Sequence, residues 1–341
     1  MSNPGLIGET RADRLARNML LEGILMPHAK RRRDQVILPA PAQFAKFVHY
    51  TSAESALKII NTKRLWMRNA VCMADFREVQ HGFSILQRFF SEPSNSQAFN
   101  GAFDKAWPGA AGEAINLFNK HWTSRLIQLN TFIASVSEHD ERENQHGRLS
   151  MWRAFGGNTA RVAIVFAVPP ISEGADAMLL RFSPVAYLSD AETNALIPEV
   201  IANVSHNIDV LIAIPRQEMV NWIFSMLLWC VTCIKHEGFK EEREWRVVHC
   251  PRLFTPSPLI ESSTEIVAGT PQVVFKLPLD KRVNPILADL DFSTLFDRLI
   301  IGPSPYPTAM LEAYLAALLS AGVEQAQNKI FVSNIPIRSN S

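Results

Sequence analysis

The chain has 341 residues, of which 47% are hydrophobic and 20% are charged, and its formal net charge is +1. This apolar content is ample for a sizeable core and excludes a mainly disordered chain. The near-zero net charge excludes a global field that draws the protein to nucleic acid or to an anionic membrane, so a charge-driven partner must meet a local patch.

The cysteines and the apolar segments favour a cytoplasmic protein. Four cysteines in so long a chain do not resemble a disulfide framework. Residues 1–8 lack a charged leader that is followed by an apolar run and a cleavage site. The longest apolar segment, 219–234, is shorter than the roughly 20 residues that cross a bilayer, and it predicts a buried core helix.

Residues 1–41 are predicted to form an N-terminal helix and a basic arm. Apolar residues recur at helical spacing over 9–26, which predicts the helix. A basic run and the proline-containing segment 39–41 follow it and together predict a linker; the run is Lys30, Arg31, Arg32 and Arg33. Such a run is either a solvated surface or a contact for a phosphate or a macromolecular partner.

Residues 42–338 are predicted to form a single α+β domain. A strand over 46–49 precedes a capping box, Thr51-Ser52-Ala53-Glu54, which begins a helix through residue 60. Residues 79–130 are predicted to be a helical insertion, with a loop over 91–101. Later strands and helices alternate without the regular rhythm of a doubly wound sheet. The later strands are predicted at 131–137, 161–168, 178–183, 184–188, 242–248, 273–277, 299–301 and 329–333.

Several common catalytic motifs are missing from the sequence. It has no Walker A pattern, Rossmann glycine fingerprint, nucleophile elbow or His-Glu-x-x-His helix. Cys230 and Cys233 have Cys-x-x-Cys spacing, which supports zinc or redox chemistry only where the thiolates are accessible. Because both lie in the apolar segment, we interpret them as buried cysteines and predict no metal.

The segment 242–246 concentrates charge on a predicted strand. Side chains alternate along a strand, so Glu242, Glu244 and Arg246 are expected to share one face. Carboxylates about 7 Å apart raise each other's proton affinity unless a cation lies between them, and Arg246 can be that cation. Apolar neighbours on both sides predict a central strand with its polar face in a functional cleft. The alternative is an ion-pair ladder on an exposed sheet face.

A second polar group lies on the first strand and on a middle strand. His49 ends the first strand and Tyr50, Thr51 and Ser52 follow in its turn, while Ser135 and Ser137 are two residues apart and share a face. A histidine in this position is either structural or catalytic. The two serines are either a hydroxyl ladder or ligand contacts.

These segments resemble a bacterial family, domain of unknown function 2971, over roughly residues 45–338. The resemblance is carried by five short patterns in order: 48–60, 74–78, 151–155, Lys235 with 242–246, and 299–303 with 332–336. Two positions depart from the family pattern, since Ala74 replaces an asparagine and Phe155 replaces a tyrosine.

A weaker similarity is to ADP-ribosyltransferases. Those enzymes place a His or Arg on the first strand, hydroxyl or aromatic residues on a middle strand, and often Glu-x-Glu on a later strand. The order of His49, Ser135 with Ser137, and Glu242 with Glu244 is similar. The resemblance implies a mixed or antiparallel sheet, split as in those enzymes, and transfer of ADP-ribose from NAD to a macromolecule, as by a toxin or an antiviral defence effector.

The resemblance also implies roles for individual residues. Glu244 would stabilise the positive charge that develops on the ribose, and Glu242 would orient or deprotonate the acceptor. The residues expected to contact NAD are His49, Tyr50, Thr51, Ser135, Ser137, Trp152 and Arg246. Among them, His49 would hold the adenosine side and Tyr50 or Trp152 would stack on a flat ring.

Two other functions are compatible with the sequence. One is a non-enzymatic binding or regulatory module that recognises a protein or nucleic acid, with the basic arm at 30–33 as a contact. The other is a metal-dependent nuclease that uses Asp75, Glu78 and the acidic strand.

Overall fold

The computed structural model describes residues 10–38, 44–72, 76–154, 160–267 and 269–335, with the side chains of 76–78 left out of the description. Its helices are α1 (Arg11–Leu25), α2 (Pro27–Val36), α3 (Ala53–Thr62), α4 (Phe76–Ser91), α5 (Pro93–Asp104), α6 (Ala110–Thr123), α7 (Leu126–Leu129), α8 (Leu149–Ala154), α9 (Glu173–Ala177), α10 (Asp190–His206), α11 (Ile208–Leu211), α12 (Arg216–Thr232), α13 (Phe292–Leu295) and α14 (Pro307–Ser320). Its strands are β1 (Ala45–Ser52), β2 (Arg64–Asn69), β3 (Phe132–Glu138), β4 (Arg161–Val168), β5 (Arg181–Pro184), β6 (Ala186–Leu188), β7 (Ile234–His236), β8 (Glu244–His249), β9 (Glu261–Val267), β10 (Thr270–Pro278), β11 (Phe296–Ile301) and β12 (Ile330–Val332).

Ten strands form one mixed sheet. Its main order is β12-β11-β4-β1-β3-β2-β10-β9, and β8 and β5 branch from β3. Within the described part of this sheet, β11 and β12 are parallel, and the other paired strands are antiparallel. Strands β6 and β7 form a separate parallel pair. The predicted α+β class with a central mixed sheet is confirmed.

The sheet splits at β3. One edge of β3 pairs with β8 along residues 132–137. The other edge is shared, because β1 pairs with Ser137 and Glu138 whereas β2 pairs with Ile133 and Phe132. Between these two contacts, the ring nitrogen Nδ1 of His49 lies 2.9 Å from the carbonyl oxygen of Ser135. The histidine thus occupies the fork with a polar contact, which partly replaces the missing strand pairing.

The connection from β1 to β2 follows the predicted capping pattern with a shift of one residue. Ser52, rather than Thr51, is the N-cap of α3, and its hydroxyl accepts a hydrogen bond from the amide of Ser55. Lys63 ends the helix in a left-handed conformation, with φ of 50°. This end reverses the chain into β2, which lies on the far side of the fork.

Helices cover both faces of the sheet. On one face, the helical layer of α1, α4–α6, α10 and α12 packs on Ile133 and Val248. On the other face, α3, α13 and α14 pack on Phe132 and Val247. Helix α12 is buried over almost all of 218–232, so the predicted buried core helix is confirmed. No helix in the described ranges combines the length and the apolar character needed to cross a membrane.

The loop predicted at 91–101 is wrong. This segment lies largely in α5, which begins with Pro93 in its first turn and buries Phe99 and Phe103. Proline is favoured at a helix start, where its missing N–H has no helical partner to lose. The serines and asparagines at 94–96 resemble a loop because such residues are typical of turns and helix ends.

The linker predicted around residues 30–33 is also wrong for those residues, because they lie in α2. Their charges are used within the chain: Lys30 pairs with Asp34, Arg31 with Glu199, Arg32 with Glu138, and Arg33 with Glu22. The acidic partners Glu199 and Glu138 lie more than 100 residues away, so the local sequence gave no sign of them. Segment 39–41 lies outside the described residues.

Candidate functional site

The predicted alternation from Glu242 onward is wrong at its start. Glu242 ends a 3-10 turn (Glu237–Glu242), and Arg243 follows in a left-handed conformation with φ of 44°. Strand β8 begins only at Glu244. Because the chain turns at Arg243 instead of extending through it, Glu242 reaches the other charged side chains from outside the strand.

Glu244 and Arg246 nevertheless share a face and form a buried ion-pair network with Lys235 of β7. The guanidinium of Arg246 donates from Nε to Oε1 of Glu244 at 2.8 Å and from Nη2 to Oε2 at 3.1 Å. The ammonium of Lys235 lies 3.0 Å from Oε2 of Glu244 and 2.6 Å from Oε2 of Glu242. Its side chain has no solvent exposure. Each carboxylate in the network therefore faces at least one cation.

The pKa of Glu244 shows which effect prevails in this network. Burial alone raises the pKa of a carboxyl group. Here the charges of Arg246 and Lys235, with the hydrogen bonds from Arg246, outweigh burial and lower the pKa of Glu244 to about 2. The carboxylate is therefore ionised near neutral pH, and the adjacent cations offset its charge.

His49 and Glu244 lie on opposite faces of the sheet. Val48 of β1 is opposite Ser137 of β3, which is in turn opposite Glu244 of β8, so these three side chains share one face. His49 follows Val48 and points to the other face. Two strand spacings separate the backbones, about 10 Å. The distance is within reach of one dinucleotide, but the two side chains leave their strands toward opposite faces.

Two aromatic residues that were predicted to stack on NAD are part of the protein core. The ring of Trp152 is fully buried and meets that of Tyr50 edge-on, with centroids 4.9 Å apart. Trp152 donates from Nε1 to the carbonyl of His146 at 2.7 Å. The hydroxyl of Tyr50 accepts from the amide of Arg148, and burial raises the pKa of Tyr50 to about 12. Neither ring offers an open face to a ligand.

Of the other predicted site residues, Ser135 and Ser137 pair across the strands with Arg246 and Glu244, on the same face. Thr51 is half-buried on β1, on the same face as His49. Asp75 and Phe155 lie outside the described residues, as do Ala74 and the side chain of Glu78. In the described ranges, no group of three or more His, Cys, Asp or Glu side chains could hold a metal ion.

The Cys-x-x-Cys pair is buried, as predicted. Cys230 and Cys233 are free thiols inside the helical layer. Burial raises the pKa of Cys230 to about 12 and also raises that of Cys233. Both groups are therefore protonated and shielded at neutral pH, unlike reactive thiolates.

A cavity of about 480 Å³ lies beside β5, between α1, α12 and the segment after β8. Arg181, the first residue of β5, places its guanidinium 4.0 Å from the ring centroid of Phe254. Most of the cavity wall is apolar, and its large side chains include Leu15, Met19, Phe182, Trp222, Leu228 and Trp229. We refer to this feature as the Arg181 cavity.

The charges around the Arg181 cavity are incompletely paired. Two acids line it, but Glu22 is bound by Arg33 and Asp176 is bound by Arg11. No ion pair is found for Arg181 within the ranges that the structure describes. Arg181 is exposed to solvent, but desolvation by the protein atoms around its guanidinium still lowers its pKa, and an arginine side chain stays protonated at physiological pH. The cavity thus combines an uncompensated cation with apolar walls.

A second depression, of about 440 Å³, is more open and lies beside Arg148, Arg153 and Arg243. Arg148 and Arg243 both donate to Glu143, at 2.9 Å and 2.6 Å. Arg148 also donates to the backbone carbonyls of 138, 241 and 242, which fixes the 3-10 turn against the end of β3. These contacts make Arg148 a structural tie between segments.

No local pattern in the sequence indicates the Arg181 cavity. Arg181 stands between Leu180 and Phe182 in an ordinary alternating strand, and Phe254 lies more than 70 residues later. Isolated arginines on strands usually reach solvent or find an acidic partner. Arg181 does reach solvent, and only the tertiary structure shows that it also meets an aromatic ring at a cavity.

Comparison with known proteins identifies one family. Residues 151–247 match the model of a family described as a protein of unknown function, DUF2971. The match confirms the family resemblance noted from the sequence, and the matched segment contains Arg181, Lys235 and Glu244. Neither the curated proteins nor the solved structures gave a match.

Proposed function

We propose that this protein is a non-enzymatic ligand-binding module whose site is the Arg181 cavity. Its ligand is a small organic anion with an apolar body. The observation that carries the proposal is the guanidinium of Arg181, which stacks on Phe254 in an apolar cavity and has no acidic partner in the described chain. Arg181 is exposed to solvent at the cavity, so its charge is hydrated in the free protein and stays available to an anionic ligand.

The size and the walls of the cavity support the same function. A volume of about 480 Å³ lies within the usual range of small-molecule sites, which are largely apolar and contain a few polar groups. The arrangement differs from the network around Glu244, whose carboxylate is already bound by two cations. A ligand anion would find a free partner at Arg181, whereas a substrate would have to displace Lys235 or Arg246 to use Glu244.

The test is a titration with 8-anilinonaphthalene-1-sulfonate, an anionic aromatic dye whose fluorescence rises in apolar sites. The native protein should bind the dye at one site, and Arg181→Met should weaken binding about tenfold because a charged contact is lost. Arg88→Met, which removes an exposed arginine on α4, is the matched control and should leave binding unchanged. Equal affinities for Arg181→Met and the native protein would refute the proposal.

A second candidate is the transfer of ADP-ribose from NAD to a macromolecule, as a toxin or antiviral defence effector. One observation favours it: Ser135 and Ser137 lie directly across from Arg246 and Glu244, and His49 contacts the backbone of the same middle strand. NAD is the co-substrate in this candidate, and Glu244 must leave Lys235 and Arg246 to reach the ribose.

Incubation with radiolabelled NAD tests this candidate. Transfer predicts label on a macromolecule or release of nicotinamide, and both should be lost in Glu242→Gln and Glu244→Gln. The Glu242 variant is informative because that side chain is partly exposed and its loss disturbs the core less. If neither label nor nicotinamide appears with the native protein, the candidate is refuted.

A further inference from the structure

The charge balance of the Arg181 cavity indicates the class of its ligand, and this step rests on the function proposed above. Four arginines and two acids line the cavity: Arg11, Arg14, Arg33, Arg181, Glu22 and Asp176. Arg11 donates to Asp176 at 2.7 Å and to Glu173 at 3.2 Å, and Arg33 pairs with Glu22. For Arg14 and Arg181, no acidic partner occurs in the described ranges. The guanidinium groups of Arg14 and Arg181 are therefore both left for a ligand.

The other titratable groups in the cavity wall do not change this balance. Burial lowers the pKa of His249 to about 4, so its ring is neutral at physiological pH. Burial raises the pKa of Cys250 to about 11 and also raises that of Cys233, so both thiols are protonated. In the described cavity wall, Arg14 and Arg181 thus remain the charges without an ionic partner across the neutral range.

A phosphate monoester matches two guanidinium groups better than a carboxylate does. It carries between about −1.5 and −2 charges at pH 7, whereas a carboxylate carries −1. Arginine binds phosphate oxygens through paired N–H groups. Stacking on Phe254 occupies one face of the Arg181 guanidinium and leaves its N–H edge available for such a contact.

The remaining walls of the cavity indicate the shape and polarity of the part of the ligand that carries the phosphate. Trp222, Phe182 and Phe254 provide aromatic surface, and Leu15 and Met19 of α1 provide aliphatic surface. Aromatic and aliphatic walls favour a flat, largely apolar molecule. We infer that the Arg181 cavity binds a phosphate monoester of a flat, largely apolar molecule, with Arg181 and Arg14 holding the phosphate.

Calorimetric titration with matched probes tests the inference. The probes are 1-naphthyl phosphate, 1-naphthoate and neutral 1-naphthol, which share one ring system and differ in charge. At pH 8 the phosphate should bind at least about tenfold more tightly than the carboxylate. The preference should shrink at pH 5, because the second phosphate pKa is about 6 and the ligand is then a monoanion.

Two variants assign the preference to the arginines. Arg181→Met and Arg14→Met should each reduce the preference for phosphate over carboxylate severalfold, and Arg88→Met should leave it unchanged. Arg14 and Arg181 are both exposed, so both variants are expected to fold. Equal binding of naphthyl phosphate and naphthoate at pH 8 would overturn the inference. If dye binding then still depends on Arg181, the proposed function survives; if the native protein binds neither dye nor probe, the proposed function itself fails.

Discussion

Two charged regions lie side by side in this fold and are built in opposite ways. In the network of β7 and β8, Glu244 is bound by both Lys235 and Arg246, and the whole group is buried. One strand away, β5 pairs with β8 so that Arg181 is opposite Val248 and Ser183 is opposite Arg246. Arg181 has no acidic partner in the described chain and meets an aromatic ring and a cavity instead.

This difference in charge pairing indicates which of the two regions can bind a ligand. A buried ion pair needs its charges close together on the fold, so it produces a conspicuous sequence pattern such as Glu-x-Glu-x-Arg. Removing one partner of such a pair is costly, which makes the pattern structurally important without any chemistry. A lone cation beside a cavity produces no pattern, yet it leaves binding capacity for a ligand.

The largest effect should follow from Glu244→Gln. This change leaves Lys235 and Arg246 buried without their shared carboxylate, and we expect a loss of about 4 kcal/mol in the free energy of unfolding. Glu261→Gln is the matched control, because Glu261 forms an ion pair with Arg64 but is more than half exposed, and it should cost less than about 1 kcal/mol. Urea denaturation of both variants measures the difference. Similar stabilities would break the contrast between the two regions.

The same network should appear in the pH dependence of stability. The pKa of Glu244 is about 2 in the folded protein, against an ordinary value of 4.5. A carboxylate with a lowered native pKa stabilises the fold above its unfolded pKa, and this stability is lost as pH falls through the native pKa. The urea midpoint of the native protein should therefore fall between pH 4.5 and pH 2, and Glu244→Gln should lack that part of the decline. Parallel curves for both proteins over this range would contradict the assignment.

A smaller effect on stability is expected from Arg181→Met, which should instead reduce ligand affinity. Because no acid depends on Arg181 and Met retains an apolar stem against Phe254, the free energy of unfolding should change by less than about 1 kcal/mol. Ligand affinity should nevertheless fall about tenfold, as stated above. Differential scanning calorimetry measures the first quantity. A loss of stability as large as that of Glu244→Gln would show that Arg181 is structural as well.

The smallest effect should come from the basic run in α2. Arg31 pairs with Glu199 at 2.6 Å, but both side chains are substantially exposed, so Arg31→Gln should cost less than about 1 kcal/mol. It should also leave binding to the dye and to naphthyl phosphate unchanged. Loss of ligand binding in this variant would show that the ligand binds at the basic run of α2 and not in the Arg181 cavity.

The sequence predicted those parts of the fold that depend on local pattern. The long apolar segment 219–234 predicts a buried helix, which is confirmed as α12, and the alternating segment at 131–137 forms most of the central strand β3. The shared face of Glu244 and Arg246 follows from the same alternation. Each of these outcomes rests on residues that are close in sequence.

The failures have the opposite character. Glu242 lies outside strand β8 because Arg243 turns the chain. A left-handed conformation at an arginine has no reliable sequence signature. The sequence predicts a basic arm at 30–33, whereas these charges form ion pairs within the chain. Two of the acidic partners, Glu138 and Glu199, are distant in sequence, so the local pattern does not indicate them. Arg181 was missed because its neighbours in the cavity come from α1, α12 and the segment after β8. Long-range packing decided all three, and no single-sequence pattern encodes it.

The most direct test of the Arg181 cavity as the ligand site is to locate a bound phosphate monoester by crystallography. Crystals grown with a bromine-substituted 1-naphthyl phosphate should show an anomalous bromine peak in the Arg181 cavity, with the phosphate within hydrogen-bond distance of Arg181. A peak beside Ser135 and Glu244, or none in the cavity at saturating ligand, would contradict the claim that the unpaired cation, rather than the charged strand, marks the functional site.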